Sequence, residues 1–370
     1  MRILIFDESL APIGGVEVQT LFVCRELARR GHEIDLVYLQ DGELHSEFQE
    51  VCRKVTQVPT FRFSRKRPIH SGRRLVSLIR AVLSSRPDVI CVQRTGEIAG
   101  ALVAGRLARA PVVCHLHGFR SGGCGRRKGS QVAKFIAVSN FIKDKWVAEG
   151  LEPSWIEVVH NGVEPTAYPF GGAEMRGPAR RMLGLPEGGF LALFYGRLEP
   201  IKGVEVLLDA WKLLKLDPKD NRLLLVGSAA SDAEGAAYEK SLLSRDSRGC
   251  HWSPSRRDVI TPLHAADVVV VPSKVEAFPR AVIEALATGR PVVAARTGGI
   301  PEMLKGEFSR FLFIPGDSAS LADRLQSVVA WREREPALAQ ACTAHVLAHF
   351  TGQVMVDGLE EIFQMAAREH

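Results

Sequence analysis

Glu276 and Glu284 flank the stretch AFPRAVI, just after the apolar run VVVVPS. A buried strand ending at Ser273, a loop carrying Glu276 and a helix opened by Pro279 would put both carboxylates near one helix start. There they can accept hydrogen bonds from paired hydroxyls, which sugars and ribose supply, while N–H groups of the first turn can hold a phosphate. The plain alternative is an acid favouring the helix dipole and a Glu284 paired with a neighbour such as Arg290. A second group lies in FYGRLEPIKG, where Arg197 and Lys202 follow an apolar run and precede a helix. Two cations at the carboxyl edge of a sheet suit a pyrophosphate, because they neutralise charge developing on a departing diphosphate; otherwise they are exposed loop charges. Gly14 and Gly15 open a helix after the first apolar run, a turn that lets backbone N–H groups approach a phosphate or sugar. The same pair serves equally well as a structural turn.

The elements that must position these residues alternate along the chain. Short β-branched runs at 2–6, 34–39, 89–92, 111–116, 135–139 and 156–160 are separated by amphipathic stretches such as VEVQTLFVCRELARRG, stopped by Gly31. Continuous apolar strands followed by helices imply parallel sheets covered on both faces. The stretch 161–178 is rich in Gly and Pro, lacks periodicity and reads as a linker. Alternation resumes at 190–195, 221–227, 267–273, 291–295 and 311–315. The expected architecture is α/β, with two Rossmann-like doubly wound domains, 1–165 and 166–351, facing a central cleft. In such sheets ligands bind beyond the carboxyl ends of the strands.

The 370 residues carry a net charge of +6, and the basic surplus lies in the first half, concentrated at 64–74 and 120–130. A basic first domain could meet an anionic or lipid-linked acceptor or a membrane surface, or could simply carry solvated loops. Nucleic acid is not expected, because no recognised reading module accompanies the charge. The seven cysteines, at 24, 52, 91, 114, 124, 250 and 342, are never spaced as metal ligands and read as free thiols. No Asp-X-Asp occurs, so no carboxylate pair for a catalytic divalent ion is expected. The start MRILIFDES meets acids too soon for a secretory signal, and no apolar run has membrane-spanning length. The expected location is cytoplasmic, with peripheral contact at the inner membrane face a further expectation.

The Glu-x7-Glu block resembles the signature of the GT-B retaining glycosyltransferases of the large family four. GGVE, VCHLHG, AVSNFIKD, VVHNGVE, YGRLEPIKG, LLLVG, ADVVVVPS and ALATGRPVVAARTGGIPE agree with it in order along the chain. The resemblance implies a donor site mainly in the second domain and a final helix, 352–370, that returns to the first. It gives His117, Arg197, Lys202 and Glu276 catalytic roles. Glu276 would contact donor sugar hydroxyls, Glu284 the ribose, and Arg197 with Lys202 the diphosphate. Backbone at Ala277, Phe278 and Pro279 would hold the sugar and β-phosphate, with Gly15 near the phosphates. His117, in CHLHG, matches the family's active-site histidine; His115 is the weaker candidate, and His160 stands where proline is common and takes no role.

The implied activity is transfer from a nucleoside-diphosphate-sugar to an acceptor hydroxyl with retention, by a front-face route without cofactor or metal. The segment between His117 and AVSN is shorter than usual in the family and Gly-rich, suggesting an open acceptor site that orders on binding. QRTGE replaces a histidine-rich stretch. Gly14, Glu17, Arg94, Thr95, Glu97 and Arg120 are therefore candidate acceptor contacts. The segment 247–260 is irregular where the family has a strand and a glycine turn; Trp252 reads as a core residue or as a wall of the base pocket. A nucleotide-sugar epimerase of GT-B-like fold and a non-catalytic nucleotide-sugar-binding partner are the competing readings.

Overall fold

β-branched runs too apolar to face water on either side become the central strands of two parallel sheets. The computed structural model describes residues 1–11, 15–62, 68–119, 124–245 and 249–369, with the side chains of 68–74 and 127 outside that description. The candidates Gly14 and Arg120, and much of both basic stretches, lie outside the described residues. The chain divides into two units, Met1–Asn161 with Gln353–His370, and Gly162–Gly352. Among the described residues no helix is long and apolar enough to cross a membrane.

The first unit holds β1 (Arg2–Ser9), β2 (Glu33–Gln40), β3 (Lys54–Gln57), β4 (Val89–Val92), β5 (Val112–Leu116), β6 (Lys134–Ala137) and β7 (Ile156–Val158). All are parallel, in the order β3-β2-β1-β4-β5-β6-β7. The final helix, Gly352–Arg368, packs Met355, Val356, Leu359, Ile362, Phe363 and Ala366 into the core cluster that includes Ile3, Ile5, Leu21 and Leu27. Each such fully buried large apolar side chain is worth roughly 1.5–3 kcal/mol. Polar ties flank that apolar face. Arg30 and His32 reach Glu360 at 2.7 and 3.0 Å, and Gln19 donates to the Met355 sulfur at 2.9 Å.

The second unit holds β8 (Leu191–Tyr195), β9 (Arg222–Val226), β10 (Cys250–Ser253), β11 (Val268–Val271), β12 (Val292–Ala295) and β13 (Leu312–Phe313). These are parallel as well, in the order β10-β9-β8-β11-β12-β13. Both sheets are therefore doubly wound, and each has one point where the strand order reverses: β1 beside β4, and β8 beside β11.

Three local expectations need correction. The last third of the stretch read as a linker belongs to the helix Ala173–Met182, with Pro178 inside it. Charge rather than apolar periodicity holds it: Arg176 and Arg180 pair with the buried Asp267 at 2.9 and 2.7 Å, and Arg332 joins them at 2.8 Å. Residues 250–253, read as irregular, form the edge strand β10, and Trp252 on it is half-buried rather than a core residue. The run 311–315 contributes only two strand residues, because a 3-10 helix occupies Gly306–Phe311.

Candidate functional site

At the reversal point of the second sheet, β8 runs into Gly196 and Arg197, while β11 runs into Pro272, Ser273 and the loop bearing Glu276. In an open parallel sheet, ligands bind in the crevice at such a point. Glycine allows the two loops to touch. Gly203 has φ +66°, and a Cβ there would lie 2.2 Å from the Pro272 carbonyl oxygen. Next to it, the Lys274 N–H donates to the Ile201 carbonyl at 2.8 Å. That contact brings Lys202 across to Glu276: Nζ lies 2.6 Å from Oε1, and the Ser273 hydroxyl donates to the same oxygen at 2.8 Å. Beneath the loop, Gly298 sits at φ +58°, where a Cβ would come 1.7 Å from the Glu276 carbonyl oxygen, and the Gly299 N–H donates to that carbonyl at 3.0 Å.

Arg197 is exposed and pairs with Glu199 at 2.7 Å rather than with the Lys202–Glu276 group. Phe278 is buried and meets Phe350 edge to face with centroids 5.7 Å apart, so its side chain belongs to the core. Ala277 is half-buried, and Pro279 is the residue before the helix Arg280–Ala287 rather than its first member.

Glu284 is nearly buried, and its partners are not the one considered from sequence. Tyr168 donates to Oε1 at 2.9 Å, Tyr195 to Oε2 at 2.9 Å, and Arg280 Nε to Oε1 at 3.0 Å. Burial, followed by the Glu284 charge, holds both phenols above their usual range. Arg290 instead donates to the carbonyls of Leu263, Gly171 and His264.

The reversal point of the first sheet carries a different chemistry. Asp7 near the end of β1 is fully buried, its Oδ2 has no hydrogen-bond partner among the described residues, and burial with the nearby Glu17 charge pushes its carboxyl up to about 7. After β4, Glu97 Oε2 accepts the backbone N–H groups of Gln93 and Arg94 at 2.9 and 3.2 Å. Arg94 in turn bonds Glu17 at 3.0 Å and lies 3.3 Å from Glu8. Glu17 and Glu97, expected as acceptor contacts, are thus turned inward: one neutralises Arg94, and the other fixes the turn. Arg94 and Thr95 are half-buried, and Gly15 is exposed at the head of its helix, Gly15–Arg29.

His117 follows β5. Its Nε2 lies 2.8 Å from Gln93 Oε1, and its ring lies tilted by 38° over buried His115 with centroids 3.9 Å apart. Burial first, then His115 and Arg94, hold its basicity well below the usual histidine range. The chain beyond it is anchored where Trp146 Nε1 donates to the Gly118 carbonyl at 3.1 Å.

Sequence reasoning passed over Asp7, Gln93, Tyr168, Tyr195 and Ser273. Only Ser273 had a signal, as the polar residue closing an apolar strand. Tyr168 lay in the stretch read as a linker, and Tyr195 looked like the end of an ordinary apolar strand.

Two family models match adjoining stretches that together make up most of the chain. Glycosyltransferase Family 4 covers residues 13–167, and Glycosyl transferases group 1 covers 176–345. Among curated relatives, D-inositol 3-phosphate glycosyltransferase of Thermobifida fusca is 34% identical over 60% of this chain and 52% of its own length. Lipopolysaccharide 1,2-N-acetylglucosaminetransferase of Salmonella typhimurium is 27% identical over 85% of this chain and 81% of its own. The chain spans about half the length of the first of these. Among solved structures, Anabaena HepE in complex with UDP and glucose superposes with a TM-score of 0.83 at 22% identity, covering 99% of this chain and 100% of that one. A glycosyltransferase from Rickettsia africae gives 0.85 at 20%, covering 100% and 99%. The chain belongs to the GT-B glycosyltransferases of family four.

Proposed function

We propose that this protein is a retaining glycosyltransferase that moves a sugar from a nucleoside-diphosphate-sugar to an acceptor hydroxyl. The observation that carries the reading is the Lys202–Glu276–Ser273 group at the reversal point of the second sheet. An ammonium 2.6 Å from a carboxylate is a stored pair of opposite functions. When a diphosphate takes the ammonium, the carboxylate is released to accept hydrogen bonds from sugar hydroxyls. Until then neither charge stands uncompensated in a half-buried site. Among the described residues Arg197 is held by an exposed pair with Glu199, of a kind worth roughly 0–1 kcal/mol, so it exchanges readily for a phosphate oxygen.

In this reading the departing diphosphate receives the positive charge of Lys202 and Arg197, whose electrostatic role in the transition state does not need a metal ion. The diphosphate leaves from the same face on which the acceptor hydroxyl attacks, and takes up that hydroxyl's proton. Retention follows without a covalent sugar–enzyme intermediate. Glu284 holds the ribose and Glu276 the sugar. The relatives named D-inositol 3-phosphate glycosyltransferase and lipopolysaccharide 1,2-N-acetylglucosaminetransferase, and the HepE complexes with UDP and UDP-glucose, support a nucleotide-sugar donor and a polar or lipid-linked acceptor. A cytoplasmic protein whose basic first unit meets an anionic or membrane-borne acceptor fits the charge distribution.

The test is a panel of nucleotide-sugars incubated with the full chain, with and without an extract of candidate glycan and lipid acceptors. Acceptor-dependent release of the nucleoside diphosphate is the expected result. A changed sugar with no acceptor required would make the protein an epimerase, and thermal stabilisation by a donor without turnover would make it a binding partner.

A further inference from the structure

Gln93, the first residue after β4, is buried, and its backbone is pinned from below by the Glu97 carboxylate at 2.9 Å. Its side chain spans to the neighbouring strand. The carbonyl Oε1 lies 2.8 Å from His117 Nε2, while the amide Nε2 donates to the Cys91 sulfur at 3.6 Å. Cys91 is itself buried and its thiol is pushed up to about 12, so it remains protonated and neutral. An amide oxygen can only accept, so the ring nitrogen that faces it carries the proton. Nδ1 then holds the ring's lone pair, and it has no hydrogen-bond partner among the described residues.

The surroundings keep the ring in that state. His115 on β5 covers it at 3.9 Å. The small cavity shared by Gln93, His115 and His117 is closed by Gln19 and Thr20 of the helix Gly15–Arg29 and by Leu359 and Phe363 of the final helix, none of which brings a charge. Arg94, on the turn after β4, is the nearby cation and disfavours an imidazolium.

We propose that Gln93 is a positioning residue for His117, holding the imidazole as the Nε2–H tautomer so that Nδ1 is presented as a hydrogen-bond acceptor to a ligand hydroxyl. The identity of that hydroxyl, on a sugar or an acceptor, rests on the transferase reading; the tautomer does not. The consequence is directional: toward the ligand the ring receives a hydrogen bond and does not offer one. It selects ligands with a hydroxyl at that point over those with a carbonyl or carboxylate.

The experiment is ring-nitrogen NMR on the full chain carrying 15N-labelled histidine, with His117 assigned by His117→Asn. The wild-type ring is expected to be neutral from pH 6 to 8, with a protected Nε2–H and an unprotonated Nδ1. Gln93→Glu places a carboxylate at the same contact and should raise the His117 titration by at least about one pH unit. Gln93→Met, of similar volume, should lose the protected proton while the melting temperature stays within a few degrees. A wild-type Nδ1–H ring, or a His117 titration unmoved by Gln93→Glu, overturns the proposal. Hydrolysis of UDP-glucose is the parallel activity probe. Gln93→Met should lower kcat several-fold with UDP affinity unchanged, a split that general loosening of the unit would not give. If the wild-type chain neither binds nor hydrolyses UDP-glucose, the transferase reading loses support, and the NMR result still decides the tautomer.

Discussion

The Tyr168 hydroxyl donates to Glu284 Oε1 at 2.9 Å, on the carboxylate assigned to the donor's ribose. With Tyr195 on Oε2 and Arg280 Nε also on Oε1, at least three hydrogen bonds from the described residues already serve two oxygens. A ribose diol must therefore share or displace one of them. Tyr168 is the candidate to leave: Tyr195 ends a sheet strand, whereas Tyr168 follows a single 3-10 turn, Pro165–Ala167.

Tyr168→Phe removes that competitor. UDP should bind a few-fold tighter, while loss of the hydroxyl's two internal hydrogen bonds, to Glu284 and from Arg280, lowers stability by about 1–3 kcal/mol. Isothermal titration with UDP and thermal melts measure the two effects. A loss of affinity as large as that of Glu284→Gln would show that Tyr168 supports the ribose contact and does not compete with it.

Lys202→Ala removes the ammonium that Glu276 holds at 2.6 Å and that the departing diphosphate needs. Turnover should fall by about 10²-fold or more, on the scale of a lost transition-state donor. The change in melting temperature should be small, because the pair is half-buried and Ser273 still donates to Glu276. Near-normal transfer by a folded Lys202→Ala protein would remove Lys202 from the mechanism.

The fold was legible because central parallel strands are apolar on both faces, and runs such as VICV and VVVV leave little else to be. β3 and β10 were not, since edge strands such as KVTQ are half-exposed and carry no such run. The helix Ala173–Met182 was hidden for another reason: its Gly and Pro content mimics a linker, and its stabilising partner, Asp267, is remote in sequence. The site divides in the same way. Arg197, Lys202, Glu276 and Glu284 could be picked out by residue type and setting. That Lys202 reaches Glu276 depends on a glycine contact between loops 74 residues apart, which no local pattern encodes. Glu97 was read as an acceptor contact because QRTGE stands in place of a histidine-rich stretch, and neither that exchange nor the GGVE around Glu17 signals that the packed structure buries both carboxylates.

Gly298 and Gly316 both adopt positive φ, but they differ in what a side chain would meet. A Cβ at Gly298 would lie 1.7 Å from the Glu276 carbonyl oxygen, whereas at Gly316 nothing lies within 4 Å. Gly316→Ala should therefore cost about 1–2 kcal/mol, from backbone strain alone. Gly298→Ala adds a backbone clash and should cost more, while moving the Glu276 loop and lowering donor affinity at least several-fold. Melting curves together with UDP titrations compare the two. Equal losses in both variants would mean that the loop yields without disturbing Glu276.

Asp7 offers a pH signature specific to the first unit. Burial and Glu17 raise its carboxyl from an unfolded value near 3.8 to about 7, so the folded state binds more protons than the unfolded state between those values. Stability from this group is thus fully present below about pH 3.8 and is lost as pH rises to about 7. Asp7→Asn, which cannot ionise, escapes the loss. Relative to wild type it should gain about 2–3 kcal/mol of stability between pH 5 and pH 8.5. His115, buried and pushed down to about 4, acts in the opposite sense as pH falls below its ordinary range. That contribution is common to both proteins and cancels in the difference. Calorimetric melts of wild type and Asp7→Asn across that range measure the gain. A constant difference between the two would mean that Asp7 stays ionised in the fold, with Arg94 rather than Glu17 dominating its field.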